Sequence, residues 1–450
     1  MEKVLLLALD GLSWNLIEEL IEKNKLRNFK KIISEGSTAK LKAEGFLSSP
    51  KIFCSIFTGK KVEKHGIRDF YSKEEDLCSN QIWDVLNEKG FKVGIYRPLS
   101  VWSAKKFDGF CIPNPLLLKK DTHPEKLKFI ADLDIMARSE KYSLKFMVST
   151  FWRLIKFNFP LKALIKIMIR GSKLYFRKGL EERMYILKEI ELIIHSNLYY
   201  KLLKRYDLDF SVFFDYTFDT LSHIYWREND EYTKYAEVLP NAYKIVDKFI
   251  GKVKKFAERN NAHLIVCSDH GFKAIEKKDR KNFRAINVLY LLRELGFYYD
   301  VYGIYMFMSV VFRARPDSKR SLEEFKEALN LITVEEKPLF DIKSYGKKMI
   351  VRINDFVGDN KNLKIKLPNG KTLNLDAVID FNPGHTGRHC EEFGVFIITG
   401  PNIKHGTKID DIQPYDITPT ILSLFGEPIS DDIDGKVLKE VFNRDHLVNS

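Results

Sequence analysis

With 450 residues the chain is longer than a typical single domain, so we expect one large domain with insertions, or two domains. Its 45% apolar and 13% aromatic residues, without a low-complexity segment, exclude an intrinsically disordered chain. The formal net charge of +13 favours an anionic partner, either nucleic acid, a membrane surface or a phosphate-bearing substrate.

The first predicted element is a strand at residues 4–9, within "MEKVLLLALDGLSW". Its apolar run is too short to span a membrane, and the segment lacks the basic start and small-residue cleavage site of a signal peptide. We therefore expect a cytoplasmic protein. The five cysteines are scattered and form no C-x-x-C pair, which argues against a disulfide framework and a thiolate zinc site.

Further along the chain, short apolar runs alternate with helical periodicity, which is typical of a parallel sheet flanked by helices. The predicted strands are residues 4–9, 92–96, 208–214, 263–267 and 395–399. Apolar residues between 243 and 256 repeat at helical spacing, so a covering helix is expected before the fourth strand.

Two stretches interrupt this alternation. Residues 136–205 are helix-like and basic, and residues 286–382 contain a hairpin predicted by the Asn-Gly pair of "KLPNGKTL". We interpret both as insertions into one α/β domain. The predicted division is a core of residues 1–135, 206–285 and 383–450, a basic helical cap at 136–205, and a second insertion at 286–382.

Residues of metal-binding type stand at the ends of the predicted strands. In open α/β sheets, ligands bind beyond the carboxyl ends of the strands, where loops present polar groups. Carboxylates together with imidazoles suit zinc or manganese. The candidates are Asp10 after the first strand, Asp219 and His223 after the third, Asp269 and His270 after the fourth, and His385 and His389 before the fifth.

Each candidate also has an ordinary structural interpretation. Asp10 can shape a turn, and Asp219 with His223 can be a surface pair on a helix. Asp269 can cap a helix beside a core histidine, and His385 can be a loop residue. We favour a metal site because four separate segments carry such residues at one predicted edge of the sheet.

A serine is the candidate for the reaction centre. In "FLSSPKIFCSIFTGKKVEKHGIRDF", Ser48 and Ser49 precede Pro50, which restricts the backbone before it. The apolar residues that follow predict a buried helix whose amino end faces an anion. Because serine is also a common helix cap, the residues alone leave both roles open.

Taken in order, these motifs resemble a known family. The segments "LALDGLSW", "SSPKIFCSIFTGKKVEKHGI", "DTLSHIYW", "CSDHGF", "GRHCEEFGVFIITGP" and "YDITPTILSLFGEPISDDIDGKVL" are similar to the type I phosphodiesterase and nucleotide pyrophosphatase family of the alkaline phosphatase superfamily. The resemblance covers residues 1–110, 206–285 and 383–442, and leaves out the two insertions. It implies an alkaline-phosphatase-like α/β fold with a mostly parallel sheet, and a metal-dependent phosphoric ester hydrolase.

The resemblance also implies roles for individual residues. Ser49 is the implied nucleophile of a two-metal site, and we expect the two divalent metal ions to be Zn²⁺, with Mn²⁺ as the alternative. One metal would bind Asp10, Ser49, Asp269 and His270, and the other Asp219, His223 and His389, with His385 as an alternative to His389. Coordination lowers the pKa of a hydroxyl, so the serine can attack phosphorus, form a phospho-serine and be released by water.

The match to the family pattern is incomplete around the nucleophile. Lys51, Phe53 and Cys54 depart from it, and Ser55 matches. We expect His65, in the loop after the nucleophile helix, to have a structural role.

Residues 142–179 contain no Asp or Glu, and their basic residues are interleaved with apolar ones. The basic residues are Lys145, Arg153, Lys156, Lys162, Lys166, Arg170, Lys173, Arg177 and Lys178. Such a segment can cap the active site, lie on an anionic membrane surface, or form a helical cap with solvated lysines. We favour the cap.

The function expected from the sequence is hydrolysis of a phosphodiester or pyrophosphate bond in a nucleotide or another phosphate-bearing small molecule. Alternatives are a phosphomutase or phosphotransferase of the same superfamily, or a non-catalytic membrane-binding or nucleic-acid-binding protein. No specific nucleic-acid motif is present. A sulfatase is disfavoured, because "PKIF" without arginine follows Ser49.

Overall fold

The computed structural model describes residues 2–45, 47–70, 72–114, 121–138, 144–176, 180–226, 235–276, 283–306, 309–315, 318–346, 348–354, 357, 363–382 and 386–443. The strands are β1 Lys3–Leu9, β2 Ser37–Leu41, β3 Val93–Tyr96, β4 Gly109–Ile112, β5 Phe210–Asp215, β6 Ala262–Cys267, β7 Gly271–Ala274, β8 Phe283–Ile286, β9 Val301–Met306, β10 Ser309–Ala314, β11 Thr333–Val334, β12 Lys337–Pro338, β13 Phe340–Tyr345, β14 Lys348–Ile353, β15 Lys364–Lys366, β16 Thr372–Asn374, β17 Ile379–Asn382, β18 Gly387–Cys390, β19 Gly394–Thr399 and β20 Thr407–Lys408.

The α-helices are α1 Trp14–Glu22, α2 Arg27–Ser34, α3 Ser49–Thr58, α4 Val62–His65, α5 Ile82–Glu88, α6 Lys128–Arg138, α7 Leu144–Lys156, α8 Leu161–Phe176, α9 Leu180–Arg205, α10 Thr217–Tyr225, α11 Val238–Arg259, α12 Val288–Glu294, α13 Leu322–Asn330 and α14 Ile417–Leu424. Short 3-10 helices occupy Glu74–Asp76, Glu125–Leu127, Leu375–Ala377, Glu391–Phe393, Pro414–Asp416 and Lys439–Val441.

The chain forms two compact units, one of residues 1–135, 147–275 and 386–450, and the other of residues 136–146 and 276–385. The helices of 147–205 therefore belong to the first unit. A compact unit need not coincide with a folding domain, so the division into a core and two insertions stays a prediction.

The first unit contains an eight-stranded sheet in the order β20-β2-β19-β6-β1-β5-β3-β4. Its strands pair in parallel, except that β19 runs antiparallel to both β6 and β2. The predicted α/β class with a mostly parallel sheet is therefore confirmed. Each of the five predicted strands is present, with ends that differ by one or two residues.

Both faces of this sheet are buried, which is why its strands read as continuous apolar runs rather than alternating ones. Along β1, Leu5, Leu7 and Leu9 pack into one core with the helices α1, α2, α9 and α11. Val4, Leu6 and Ala8 pack into a second core with α3, α5 and α14 on the opposite face. The predicted covering helix is α11, whose apolar stripe is buried.

The reversed direction of β19 matters for the location of functional groups. In a parallel sheet, the carboxyl ends of β1, β5 and β6 meet at one edge. Because β19 is antiparallel, its amino end lies at that same edge, so a residue that precedes β19 can join residues that follow the other three strands.

The second unit is built from antiparallel strands. One sheet has the order β13-β14-β10-β9, another has the order β12-β11-β15-β16, and β8 pairs with β17. The predicted hairpin is present as β15 and β16, with Gly370 at φ +80° in its turn. A three-residue loop that ends on a left-handed glycine accounts for the Asn-Gly signal.

In the part of the chain that the structure describes, none of the helices is long and apolar enough to cross a membrane.

Candidate active site

The seven candidate residues meet at the edge of the sheet where β1, β5 and β6 end. Asp10 follows β1 directly, and its carbonyl accepts a hydrogen bond of 3.0 Å from the Asp219 N–H in α10. Asp269 follows β6, and its Oδ1 accepts a hydrogen bond of 3.2 Å from the Gly11 N–H. Hydrogen bonds from two backbone N–H groups thus hold the three strand exits together before any metal is considered.

Gly11 allows this close approach. Its φ of +74° is in the left-handed region, and a Cβ built there would lie 2.7 Å from both the N and the Cα of Asp219. The same Cβ would lie 2.9 Å from the Phe272 ring. The Asp-Gly pair is therefore more than the turn suggested by its sequence, because any side chain would push α10 away from β1.

The first cluster of potential metal ligands consists of Asp10, Asp269 and His270, which we call cluster A. All three side chains are buried. The His270 Nε2 lies 3.1 Å from Asp269 Oδ2 and 3.7 Å from Asp10 Oδ1. Ser49 completes the group, since its hydroxyl donates to Asp10 Oδ1 at 3.1 Å and lies 3.5 Å from His270 Nε2.

The tautomer of His270 suits a cation in cluster A. Its Nδ1 lies 3.2 Å from the Gly271 carbonyl, which only accepts, so Nδ1 carries the proton and Nε2 presents a lone pair. That lone pair faces Asp269 Oδ2, which is buried and has no hydrogen-bond partner among the described residues. Two electron-rich atoms held at this separation without a proton between them fit a divalent metal ion.

The second cluster consists of Asp219, His223 and His389, which we call cluster B. The His389 Nε2 lies 3.0 Å from both Asp219 Oδ1 and His223 Nε2. The His223 Nδ1 lies 3.3 Å from the Gly387 carbonyl, so its Nε2 also presents a lone pair to the cluster. Asp219 and His223 share one face of α10 because they are four residues apart.

A two-stranded ribbon brings His389 into cluster B. β18 pairs antiparallel with β7, and His389 stands opposite Phe272, two residues beyond His270. The His389 and His270 rings stack with their centroids 3.8 Å apart. The His270 Nε2 lies 4.0 Å from Asp219 Oδ1, so the two clusters adjoin.

The two clusters differ in exposure. Cluster A is buried, whereas the side chains of Asp219, His223 and His389 are each partly open to solvent. A ligand from solution therefore reaches the site from the side of cluster B.

The electrostatics of the site reflect three carboxylates in a small volume. Burial, together with the charges of Asp269 and Asp219, holds the pKa of Asp10 well above its usual range. Burial acts to raise the pKa of Asp219, but His223 and His389 outweigh it and hold that pKa well below its usual range. Burial lowers the pKa of His270 to about 4, so its imidazole is neutral at neutral pH, as a metal ligand must be.

Ser49 is the first residue of α3, and Pro50 follows it within the first turn. The Ser48 side chain makes no cap hydrogen bond, and the Ser49 side chain points to Asp10. Ser48 therefore occupies the cap position of α3 without a cap hydrogen bond, whereas the Ser49 hydroxyl contacts Asp10 and does not cap the helix.

His65 packs against α3, the helix that begins with Ser49. It is fully buried, its Nδ1 accepts the Ile67 N–H at 3.1 Å, and its Nε2 lies 3.0 Å from Ser55 Oγ in α3. Burial lowers the pKa of His65 to about 4. These contacts agree with the structural role expected for this residue.

Several supporting residues were not singled out from the sequence. The Ser268 hydroxyl donates to the Leu12 carbonyl at 2.6 Å and accepts the Val395 N–H at 2.9 Å, which joins the segments after β1 and β6 to β19. The Ser13 hydroxyl accepts the Phe272 N–H at 3.0 Å. The Phe272 ring packs edge-on against three imidazoles, with its centroid 5.0 to 5.5 Å from theirs. The only sequence signal for these residues was their position within the strand-end motifs.

His385, the alternative ligand, lies outside the described residues. Asp432 and Asp434 in the carboxyl-terminal motif form ion pairs with Lys60 and Lys64, so they act as a salt-bridged turn.

An α/β sheet whose edge gathers carboxylates, imidazoles and a buried serine hydroxyl defines a protein of the metal-dependent hydrolase class. Comparison with family models agrees, because residues 4–345 match the type I phosphodiesterase / nucleotide pyrophosphatase family. The chain therefore belongs to this family of metal-dependent phosphoric ester hydrolases, with an alkaline-phosphatase-like fold. The matched region includes all the candidate ligands except His385 and His389, and the place of His389 in the site rests on the geometry.

No match was found among curated proteins. Among solved structures, murine ectonucleotide pyrophosphatase/phosphodiesterase 5 is similar over 98% of this chain and 100% of that chain, at 14% identity and a TM-score of 0.46. A structure of its inactive variant in complex with AMP shows the same coverage and identity, with a TM-score of 0.48.

Proposed function

We propose that the protein is a two-metal phosphodiesterase or nucleotide pyrophosphatase whose nucleophile is Ser49. The observation that carries this proposal is the position of the Ser49 hydroxyl, which is buried against Asp10 and His270 in cluster A, next to cluster B.

The residues fit a pair of divalent cations. Asp10, Asp269, His270 and Ser49 would hold one, and Asp219, His223 and His389 would hold the other. Mixed oxygen and imidazole ligands suit Zn²⁺, and Mn²⁺ as the alternative. Bound metal ions would supply positive charge that lowers the pKa of the serine hydroxyl and stabilises the oxygens of an in-line displacement.

Ser49 attacks phosphorus in the first step. The Oγ–P bond forms, the bond between phosphorus and the leaving oxygen breaks, and the hydroxyl proton departs along the hydrogen bond to Asp10 Oδ1. Because Ser49 lies at the start of α3, the positive end of that helix faces the phosphoryl group. In the second step the oxygen of water bonds to phosphorus and releases a proton to solvent, the Oγ–P bond breaks with its electron pair on Oγ, and Oγ takes back the proton that Asp10 accepted.

The imidazoles orient the site without transferring protons. The Gly271 and Gly387 carbonyls fix the tautomers of His270 and His223, so both Nε2 atoms keep facing inward. Substrate enters on the cluster B side, which is the solvent-exposed side. We expect a nucleotide or another phosphate-bearing small molecule as substrate.

The test compares Ser49→Ala with Ser48→Ala, a matched control at the neighbouring serine, which is buried but makes no side-chain cap bond. Metal content is measured first by elemental analysis. Wild type and both variants are then assayed on bis-p-nitrophenyl phosphate, p-nitrophenyl phosphate and a dinucleotide. We expect Ser49→Ala to lose on the order of a thousandfold in rate or more, as removal of a nucleophile does, while its metal content is unchanged.

Each other outcome has a definite meaning. Full activity of Ser49→Ala removes this serine from the mechanism. Absence of activity in the metal-loaded wild type on all three substrates favours a binding protein. Transfer of the phosphoryl group to an added alcohol in preference to water identifies a phosphotransferase instead.

A further inference from the structure

Exposed large apolar side chains concentrate in α7 and α8. Of the eleven such residues in the described part of the chain, seven lie between positions 148 and 169. These seven are Val148, Trp152, Ile155, Leu161, Ile165, Met168 and Ile169. Trp152 is 57% exposed and Leu161 is 70% exposed, although apolar residues of this size are usually buried.

Three stripes run along α8. At 3.6 residues per turn, its exposed apolar residues fall within about 100° around the helix axis, with a basic stripe beside them and a buried stripe on the remaining side. The apolar stripe contains Leu161, Ile165, Met168 and Ile169, the basic stripe contains Lys162, Lys166 and Lys173, and the buried stripe contains Ala163, Leu164 and Ile167, the last of them partly buried.

The same arrangement occurs on α7. Val148, Trp152 and Ile155 form an exposed apolar stripe, and Lys156 lies on its flank. Leu154, on the other side of the helix, is buried in the core. The face that anchors each helix to the protein is therefore separate from its exposed apolar face.

The basic stripes retain unneutralised charge. Arg153 pairs with Asp132 and Arg170 pairs with Glu189, but the structure places no ion pair on Lys156, Lys162, Lys166 or Lys173 within the residues it describes. Burial lowers the pKa of Lys166, and the nearby positive charges of Lys248 and Arg170 lower it further. Lys248 belongs to α11, so the positive surface extends beyond α8.

We propose that the exposed apolar and basic stripes of α7 and α8 dock the protein onto the surface of an anionic lipid bilayer. A large apolar face beside a row of lysines is the pattern of helices that lie in the membrane interface, with the apolar face among the acyl chains and the lysines at the headgroups. Neither helix is long and apolar enough to span a bilayer. The sequence favoured a cap over the active site, but a cap does not require a second, solvent-facing apolar stripe.

The experiment measures binding of the metal-loaded, full-length protein to sedimented vesicles. One set of vesicles is pure phosphatidylcholine, and the other is phosphatidylcholine mixed with phosphatidylglycerol. We expect binding to the anionic vesicles at low salt, weaker binding at high salt, and little binding to pure phosphatidylcholine. This readout is independent of catalysis, so it is unaffected if the proposed function fails.

Two double variants divide the apolar from the electrostatic contribution. Lys162→Gln with Lys166→Gln removes two positive charges, and we expect partitioning to fall about 25-fold, at about fivefold for each lysine. Leu161→Ser with Ile165→Ser removes apolar contact, and we expect a fall of more than about tenfold.

Matched controls come from the second unit. Tyr299→Ser with Leu331→Ser removes exposed apolar side chains, and Lys364→Gln with Lys366→Gln removes two exposed charges. We expect both controls to bind like the wild type. Vesicles with brominated acyl chains should quench the tryptophan fluorescence of the wild type more than that of the Trp152→Phe variant. The difference in quenching reports insertion of the Trp152 side chain among the acyl chains.

Four outcomes would overturn the proposal. The first two are absence of wild-type binding to anionic vesicles and equal binding to both vesicle types. The third is a loss of vesicle binding in the controls as large as in the α8 variants. The fourth is self-association of the wild type that the double variant Leu161→Ser with Ile165→Ser abolishes. The last outcome would make the stripe a contact between copies of the chain.

Discussion

Substitution of Gly11 by alanine tests whether the close approach of β1 to α10 assembles the site. The new Cβ would lie 2.7 Å from backbone atoms of Asp219, and backbone cannot swing aside as a flexible side chain does. The left-handed φ costs about 1 kcal/mol, and forcing extra volume into a packed region costs about 1–3 kcal/mol more. We expect the free energy of unfolding to fall by about 2–4 kcal/mol.

Gly90→Ala is the matched control. Gly90 has φ +85°, but nothing lies within 4 Å of the position its Cβ would take. This variant therefore carries the cost of the backbone conformation without the steric clash, and we expect a loss of about 1 kcal/mol. The difference between the two variants isolates the clash with Asp219.

Urea denaturation measures both losses, and a zinc titration measures the site. Because relief of the clash moves Asp219 and its α10 neighbour His223 away from Asp10, we expect metal affinity to fall in Gly11→Ala and to stay at the wild-type level in Gly90→Ala. A displacement near 1 Å can also lower the rate about a hundredfold. If the two variants lose the same stability and bind zinc equally, the close approach does not assemble the site.

Three further predictions follow from other features. The pKa of His65 is about 4 when folded and about 6.5 when unfolded, so the unfolded chain binds its proton first as the pH falls. Neutral His65 thus stabilises the folded protein fully above pH 6.5, and up to about 3 kcal/mol of the free energy of unfolding is lost as the pH falls towards 4. In urea denaturation at a series of pH values, a His65→Gln variant should lack this part of the pH dependence. If the free energy of unfolding of the variant falls with pH as steeply as that of the wild type, the assignment to His65 is contradicted. Removal of metal by a chelator should lower the melting temperature by several degrees, because the carboxylates of Asp10, Asp219 and Asp269 then repel one another. Added Zn²⁺ should restore the melting temperature. If scanning calorimetry shows no shift in either direction, the protein does not bind metal at this site. Gly387→Ala places a Cβ 2.4 Å from the Ser222 carbonyl oxygen, so it should weaken zinc binding in cluster B. Gly426→Ala is the control, because nothing lies within 4 Å of the position of its Cβ. If a zinc titration gives equal affinities for the two variants, the position of β18 does not determine zinc binding in cluster B.

Much of the core could be predicted from the sequence, because a sheet buried on both faces leaves continuous apolar runs that are easy to recognise. The polar residues at the ends of those runs were equally visible. Residues such as Asp10 and Asp269 follow their strands at once, so the geometry of a parallel sheet brings them together.

The remainder depended on tertiary contacts that leave little local signal. β7 and β18 are short strands that exist only because they pair with each other, and neither was predicted, although their pairing carries His389 to His270. The antiparallel direction of β19 was likewise not predicted. The tautomers of His223 and His270 depend on backbone carbonyls, which every residue has. The cytoplasmic location stays a prediction.

The insertion of β19 between β2 and β6 has a consequence for biosynthesis. β2 leaves the ribosome more than three hundred residues before the strand that joins it to the rest of the sheet. Until then, the β6 edge lacks its neighbour and can pair with a foreign strand. His389 emerges just ahead of β19, so a nascent chain acquires the last imidazole of the two clusters and the missing strand of the sheet almost together. A chain truncated before this point would lack both.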